Sequence, residues 1–239
     1  MGPFTLFVSR APWPYYARPR VGEGEQTFTR EDVAAVRARQ AELRVPHMFE
    51  WVHETAPTLR DAVDAEVIEV PLLVLDRAAW RPLEAPESMG LRLLDADDAA
   101  LAAALGVEQV GFAAAGTAPG PQAITERDAA AREQDAARLD YLRERFRRGT
   151  SVTAVAENES GPVAVGTLRP VDAVAEIVGV ATLPAVRRQG LGGAVTAFLV
   201  EHALDRGIET VFLSAADDDV ARVYERLGFR RCGTACFVH

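Results

Sequence analysis

Apolar residues along this 239-residue chain recur with a period of two in some segments, run unbroken in others, and recur at helical spacing in the rest. Runs rich in Val, Ile, Thr and aromatic residues predict strands at FTLFV (4–8), HMFEWVHE (47–54), VIEVPLLVL (67–75) and LRLL (91–94). TSVTAVAE (150–157), VAVGTLR (163–169) and EIVGVATL (176–183) follow with only turns between them, and TVFLSA (210–215) and residues 229–238 complete the set. Helical spacing appears first at Val33, Val36, Gln40 and Leu43, where Gln40 is the one polar member of the stripe. Thr29 and Asp32 open that helix as a capping-box-like pair. A short helical piece covers 57–65, and an Ala-rich helix follows residue 94. A long helix is expected from about Thr125 to Arg148, with Leu139, Leu142 and Phe146 on its apolar stripe and Gly149 as its stop. The next helix, Gly190 to Arg206, carries Leu191, Val195, Phe198, Leu199 and Ala203 on one face. The last carries Val220, Val223, Tyr224 and Leu227, with Asp217, Asp218 and Asp219 available as N-caps and Gly228 just past its end.

Breakers divide this pattern. Pro82, Pro86 and Gly90 mark 77–90 as a linker, which places an N-terminal subdomain at 1–86 and a second domain at 87–239. Gly116, Pro119, Gly120 and Pro121 mark 114–122 as a loop. In the second domain strands come first and helix and strand then alternate, so the expected fold class is α+β, a mixed sheet flanked by helices.

Composition narrows the functional classes. Hydrophobic residues make up 49% and charged residues 26%, enough apolar material for a core without disulfide or metal staples. A net charge of −9 disfavours a nucleic-acid partner, because it repels phosphate backbones. Cys232 and Cys236, on one strand, would lie roughly 13 Å apart at about 3.3 Å per residue, too far for a disulfide. No His/Cys cluster has metal-ligand spacing, so no metal is expected. The start lacks a basic region followed by a long apolar run, and no stretch approaches the length of a membrane span. The expectation is a cytoplasmic protein that engages no membrane.

The most informative residues stand where the 176–183 strand gives way to a helix: Arg187, Arg188, Gln189, Gly190, Leu191, Gly192 and Gly193. Glycines there let the backbone approach a ligand, and the first helical turn leaves its N–H groups without partners. Those donors and the positive end of the helix dipole make an anion site, and arginines beside it can neutralise phosphates. Alone, such a turn is as readily a ligand-free connection. The spacing Arg187-x-x-Gly190-x-Gly192 after a strand ending TLP resembles the acyl-CoA-binding motif of the GNAT superfamily. VARVYERLGFR (220–230) is similar to that family's following helix and strand, with Tyr224 at its tyrosine position and Leu227, Gly228 and Phe229 at its characteristic ending. The resemblance covers about residues 88–239. It implies a sheet splayed open between its fourth and fifth strands, and acetyl-CoA as co-substrate. The strand, helix and strand order of 1–86 is similar to the C-terminal half of the same fold without the Gly-rich turn, which suggests a degenerate GNAT-like half that extends the sheet or covers the acceptor side.

The resemblance also implies roles. Backbone of Val180, Ala181 and Thr182 would pair with the pantetheine arm, and N–H groups from Arg188 to Gly193 would hold the pyrophosphate with Arg187 and Arg188 near it. A bulge would aim one backbone N–H at the thioester oxygen, an oxyanion-hole donor. A thiol titrates near ~8.5 and a phenol near ~10, so Tyr224 could protonate the leaving thiolate at modest cost; the alternative is a core tyrosine. An amine of pKa near ~10.4 costs roughly 4.6 kcal/mol to deprotonate at pH 7, so a base or water relay is expected. Glu176 is the candidate base by resemblance, against an exposed charge at a strand start. His53 and Glu50 could line the acceptor cleft, although structural roles suit both better, and His47, His202 and His239 have no assigned role. Asp217 stands where many members carry an asparagine against the cofactor arm. An acid there is unfavourable beside a polyphosphate but serves well as a helix cap.

The leading function is an N-acetyltransferase acting on a primary amine by direct attack in a ternary complex. A catalytically silent acyl-CoA-binding or regulatory protein is the second reading. A dinucleotide-binding oxidoreductase ranks last, since its glycine fingerprint belongs after the first strand of a parallel sheet. Trp13 to Tyr16 form a candidate homodimer face.

Overall fold

The computed structural model describes residues 2–8, 16–22, 26–114 and 116–238. The chain divides into two compact units, residues 1–72 with 231–239 and residues 73–230. It passes between them inside β4 (Ile68–Leu75) and β10 (Phe229–Val238). The first unit builds β1 (Phe4–Leu6), β2 (Ala17–Pro19), α1 (Arg30–Leu43), β3 (Phe49–Val52) and the single turn α2 (Leu59–Ala62). β1 and β2 are antiparallel, β2 meets β3 in parallel at Ala17 and Phe49, and β3 pairs antiparallel with β10. Its core holds Phe4 against Phe28 and Phe49, ring centroids 5.1 and 5.6 Å apart. Gln40 completes the buried stripe of α1 because its Nε2 donates to the Met48 carbonyl at 3.1 Å. The predicted capping box forms in full. The Asp32 N–H donates to Thr29 Oγ1 at 3.2 Å, and the Thr29 N–H donates to the Asp32 carboxylate at 3.0 Å. Thr29→Ala should therefore cost about 1 kcal/mol in urea-induced unfolding. Of the candidate dimer face, residues 13–15 lie outside the described residues, and Tyr16 packs edge-on to Phe237 at 5.9 Å.

The second unit is built on β5 (Gly90–Leu93), β6 (Val152–Asn158), β7 (Gly161–Val171), β8 (Val174–Thr182) and β9 (Thr210–Ser214), neighbours in that order. Each pair is antiparallel except β8 with β9, which is parallel. The parallel step is the βαβ crossover through α6 (Leu191–Asp205). Preceding it are α3 (Leu101–Ala113), α4 (Ile124–Arg132) and α5 (Ala136–Arg147), and α7 (Asp218–Glu225) follows β9. Strand register fixes which helix takes which face. A Cβ on Gly111 of α3 would meet Ala181 of β8, which pairs with Val165 of β7. The next residue of β7, Gly166, faces Val195 and Leu199 of α6 on the other side. Leu168, Leu191, Leu199 and Leu213 are fully buried in this core, each contributing on the order of 1.5–3 kcal/mol.

Two expectations change. The long helix expected from 125 to 148 is two helices, broken at residues 133–135 without Gly or Pro, because Asp135 turns its carboxylate back to accept the Ala137 N–H at 3.1 Å and caps α5. The 77–90 segment forms no regular element up to Met89 but docks within the second unit. The Asp76 N–H donates to the Gly228 carbonyl and the Arg81 N–H to the Leu227 carbonyl, both at 3.0 Å. Cys232 is exposed and Cys236 is buried.

Candidate functional site

β8 and β9 share a ladder only where Val174–Glu176 face Thr210–Phe212. Beyond Glu176, β8 runs on to Thr182 without a ladder to β9 among the described residues, so the fourth and fifth strands of this sheet part as the resemblance implies. A bulge accompanies the parting. Thr167 pairs with Val178 but Val165 pairs with Ala181, so β8 fits three steps against two of β7. Gly179 absorbs the extra residue at φ +64°, a conformation that suits glycine.

A cavity of about 840 Å³ opens in the gap, within the size range of small-molecule sites. Its walls are β8 from Ile177 to Thr182, the turn residues Val186, Arg187 and Arg188, the start of α6 from Gly190 to Gly193, and Val220, Val223 and Tyr224 of α7. The turn meets the helix through two left-handed residues, Arg188 at φ +66° and Gly190 at φ +80°. Arg188 is not glycine, so its conformation is strained by roughly 1–2 kcal/mol, a cost typical of backbone arranged around a ligand. The first intrahelical bond is the Ala194 N–H to the Gly190 carbonyl at 2.9 Å, and no side chain among the described residues caps α6. The N–H groups of Leu191, Gly192 and Gly193 therefore precede the helical ladder, a ready anion site.

The two arginines divide their work. The Arg187 guanidinium donates to the carbonyls of Gly111 (2.8 Å), Ala114 (2.9 Å) and Ala118 (3.2 Å), and Nε donates to that of Thr182 at 3.4 Å. It clamps the end of α3 to the end of β8, and burial there lowers its pKa without removing its charge. Arg188 is exposed and reaches Thr117, to its carbonyl at 3.1 Å and its hydroxyl at 2.7 Å. Gln189 is exposed. Asp217 lines the cavity and caps α7, its carboxylate accepting the Val220 N–H at 2.8 Å. Leu83, from the segment read as a linker, leans on the turn, with Cδ2 3.7 Å from where a Gly190 Cβ would stand.

Tyr224 is buried against Phe229 and also borders the cavity. Burial pushes its hydroxyl well above the ordinary phenol range. The group therefore stays protonated at any working pH, and complete transfer of its proton to a thiolate is more uphill than for a free phenol.

Glu176 is the last β8 residue paired with β9 and lies just outside the cavity wall, opposite Arg169 of β7. The structure adds an acid that the sequence reading missed. Glu108 of α3 turns toward β8, where a Cβ on Gly179 would stand 3.2 Å from its carboxylate oxygen. Arg138 of α5 lies 3.5 Å from the same carboxylate. Burial raises the Glu108 pKa above the usual range, and Arg138 and Arg169 pull it partly back. Helical spacing held the signal, since Ala104, Glu108 and Gly111 share the face that meets the sheet. Glu50 and His53 belong to the first unit. Glu50 is paired with Arg18, and His53 sits in a short 3-10 turn with its Nδ1 buried.

Comparison with known proteins agrees with this geometry. Residues 121–229 match the model of the acetyltransferase (GNAT) family. Among curated proteins, none matches the chain. A GCN5-related N-acetyltransferase from Kribbella flavida superposes with a TM-score of 0.64 at 22% identity, covering 93% of this chain and 79% of that one. A GCN5-related N-acetyltransferase-like protein from Streptococcus suis 89/1591 gives 0.55 at 12% identity, covering 98% and 82%. A functionally unknown conserved protein from Staphylococcus epidermidis ATCC 12228 gives 0.54 at 13%, covering 93% and 82%. At these identities the likeness is one of fold, and its coverage takes in both units.

Proposed function

We propose that the GNAT-family domain at residues 121–229 makes this chain an acetyl-CoA-dependent N-acetyltransferase that passes the acetyl group to a primary amine by direct attack in a ternary complex. The observation that carries this reading is the parting of β8 and β9 directly in front of the unbonded N–H groups at the start of α6. A parted strand offers an extended, amide-bearing arm a backbone to pair with, here Val180 to Thr182. The arm's diphosphate then meets Leu191, Gly192 and Gly193, with Arg188 beside it. The bulge at Gly179 sits where the thioester would end, and a backbone N–H there would hold the oxyanion in a partly enclosed site.

In this reading the amine nitrogen attacks the thioester carbonyl carbon, a C–N bond forms, the C–S bond breaks, and sulfur leaves with the electron pair. Tyr224 donates a hydrogen bond to that sulfur. Acceptor deprotonation needs a carboxylate or water on the α3 face of β8, where Glu176 lies. Release of CoA thiol from acetyl-CoA with a panel of primary amines tests the whole reading. Turnover above the buffer rate supports it, and acetyl-CoA binding without turnover would leave a silent acyl-CoA-binding protein. Tyr224→Phe should lower kcat about 10- to 100-fold with little change in KM, the loss of one charge-assisted hydrogen bond made only as the thiolate develops.

A further inference from the structure

We propose that Glu108 takes the proton from the acceptor amine, as the general base of the transfer, because its carboxylate stands beside the bulge residue Gly179 on the α3 face of β8. The inference rests on the acetyl-transfer reading and specifies its missing base. Three observations converge on it.

Position comes first. Gly179 and Val178 wall the cavity, and the Glu108 oxygen lies 3.2 Å from where a Gly179 Cβ would be. Glycine at that position, with its positive φ, leaves the space between carboxylate and backbone free of a side chain. Glu176, by contrast, lies three residues further back, still inside the β8–β9 ladder. Neither carboxylate lines the cavity itself, and of the two Glu108 is the one that stands beside the cavity residue Gly179.

The second observation is the cost of having an acid there. α3 reads LAAALGVEQVGFA, and Glu108 is its one ionisable residue. It sits half-buried, its side chain 26% exposed, on the helix face that packs on β8, where partial desolvation of a carboxylate carries a cost unless it is paired. Arg138, at 3.5 Å, is a long and partial compensation. An ordinary packing position would hold an alanine or leucine.

Charge is the third. The charged groups on this face are Arg138 from α5, Arg169 from β7 and Glu176 from β8 opposite Arg169, while α4 presents backbone, at Arg127 and Ala131, to α3. Burial raises the carboxyl and the two cations lower it, leaving it above the usual range. A base poised higher than a free glutamate accepts a proton more readily as the C–N bond forms and the nitrogen becomes acidic. The ammonium proton passes to the Glu108 carboxylate and then to water. The electron pair released by C–S cleavage stays on sulfur.

The test is the pH profile of CoA release, using acetyl-CoA and the best primary amine of the panel. The native chain should lose kcat/KM as pH falls through the raised Glu108 pKa. Glu108→Gln should lower kcat about 100-fold and flatten that acidic limb, with acetyl-CoA affinity by calorimetry unchanged. Arg138→Gln removes a cation and keeps the base, so the limb should move to higher pH. If Glu108 is only half of a structural ion pair, both variants lower the Tm and leave the limb in place, which overturns the proposal while the transfer reading stands. A limb lost in Glu176→Gln but kept in Glu108→Gln overturns it equally. A native chain that turns over no amine removes the transfer reading itself, and the base with it.

Discussion

Gly192→Glu should abolish acetyl-CoA binding while leaving the chain folded. The site tolerates the new Cβ, whose nearest neighbours would be Thr182 Oγ1 at 3.6 Å and Val180 Cγ1 at 3.7 Å, both ordinary contacts. Helical φ at this second residue of α6 is open to any residue, so the backbone need not move. The same two neighbours show where the side chain goes: it leaves the helix toward the stretch of β8 that borders the cavity. A carboxylate there opposes a diphosphate and occupies the approach to the N–H groups of Leu191 to Gly193. Losing two charge-assisted hydrogen bonds at about 1.5–3 kcal/mol each, before counting repulsion, weakens binding on the order of 100- to 10,000-fold. Calorimetry should read a micromolar-class affinity for the native chain and none for the variant. Unchanged binding would mean that the start of α6 does not hold the phosphates, and an unfolded variant would be visible as a lost thermal transition.

The residues that made this site legible in the sequence share a property: their chemistry is local. Gly190 and Gly192 need only the turn they sit in, Thr29 and Asp32 cap their own helix, and Asp217 caps the helix that follows it. The period-two strands likewise need only an alternating or unbroken apolar run. What escaped depends on distant neighbours. Arg187 looks like a phosphate ligand until α3 supplies the carbonyls of Gly111 and Ala114 as its partners. Glu108 looks like one polar residue in an apolar helix until the Gly179 bulge is set against it. The helix break at 133–135 escaped for the opposite reason. Asp135 can either continue a helix or cap the next one, and the competition between the two is decided by packing. Residues 77–89 show the same limit, since Pro82 and Pro86 announce irregular backbone but not where that backbone docks.

That docking sets the largest expected loss of stability, at Gly228. The residue has φ +100°, past the left-handed region that other residues enter at a cost. A Cβ there would stand 2.4 Å from the Ala79 carbonyl oxygen, 2.6 Å from its carbon and 2.9 Å from Trp80 Cα. Every one of these is backbone, so no side chain can rotate away. Gly228→Ala therefore adds overpacking of about 1–3 kcal/mol to backbone strain of about 1–2 kcal/mol. Gly207→Ala separates the two contributions. Its φ is +79° and a Cβ there would meet nothing within 4 Å, so only the strain applies. Urea unfolding should show Gly228→Ala losing about 3–4 kcal/mol and Gly207→Ala about 1 kcal/mol. The first variant should also bind acetyl-CoA more weakly, because the displaced backbone leads directly into Arg81, Pro82 and Leu83 of the cavity wall. Equal losses in the two variants would show that residues 79–80 yield freely, and the segment would then be a tether rather than a wall.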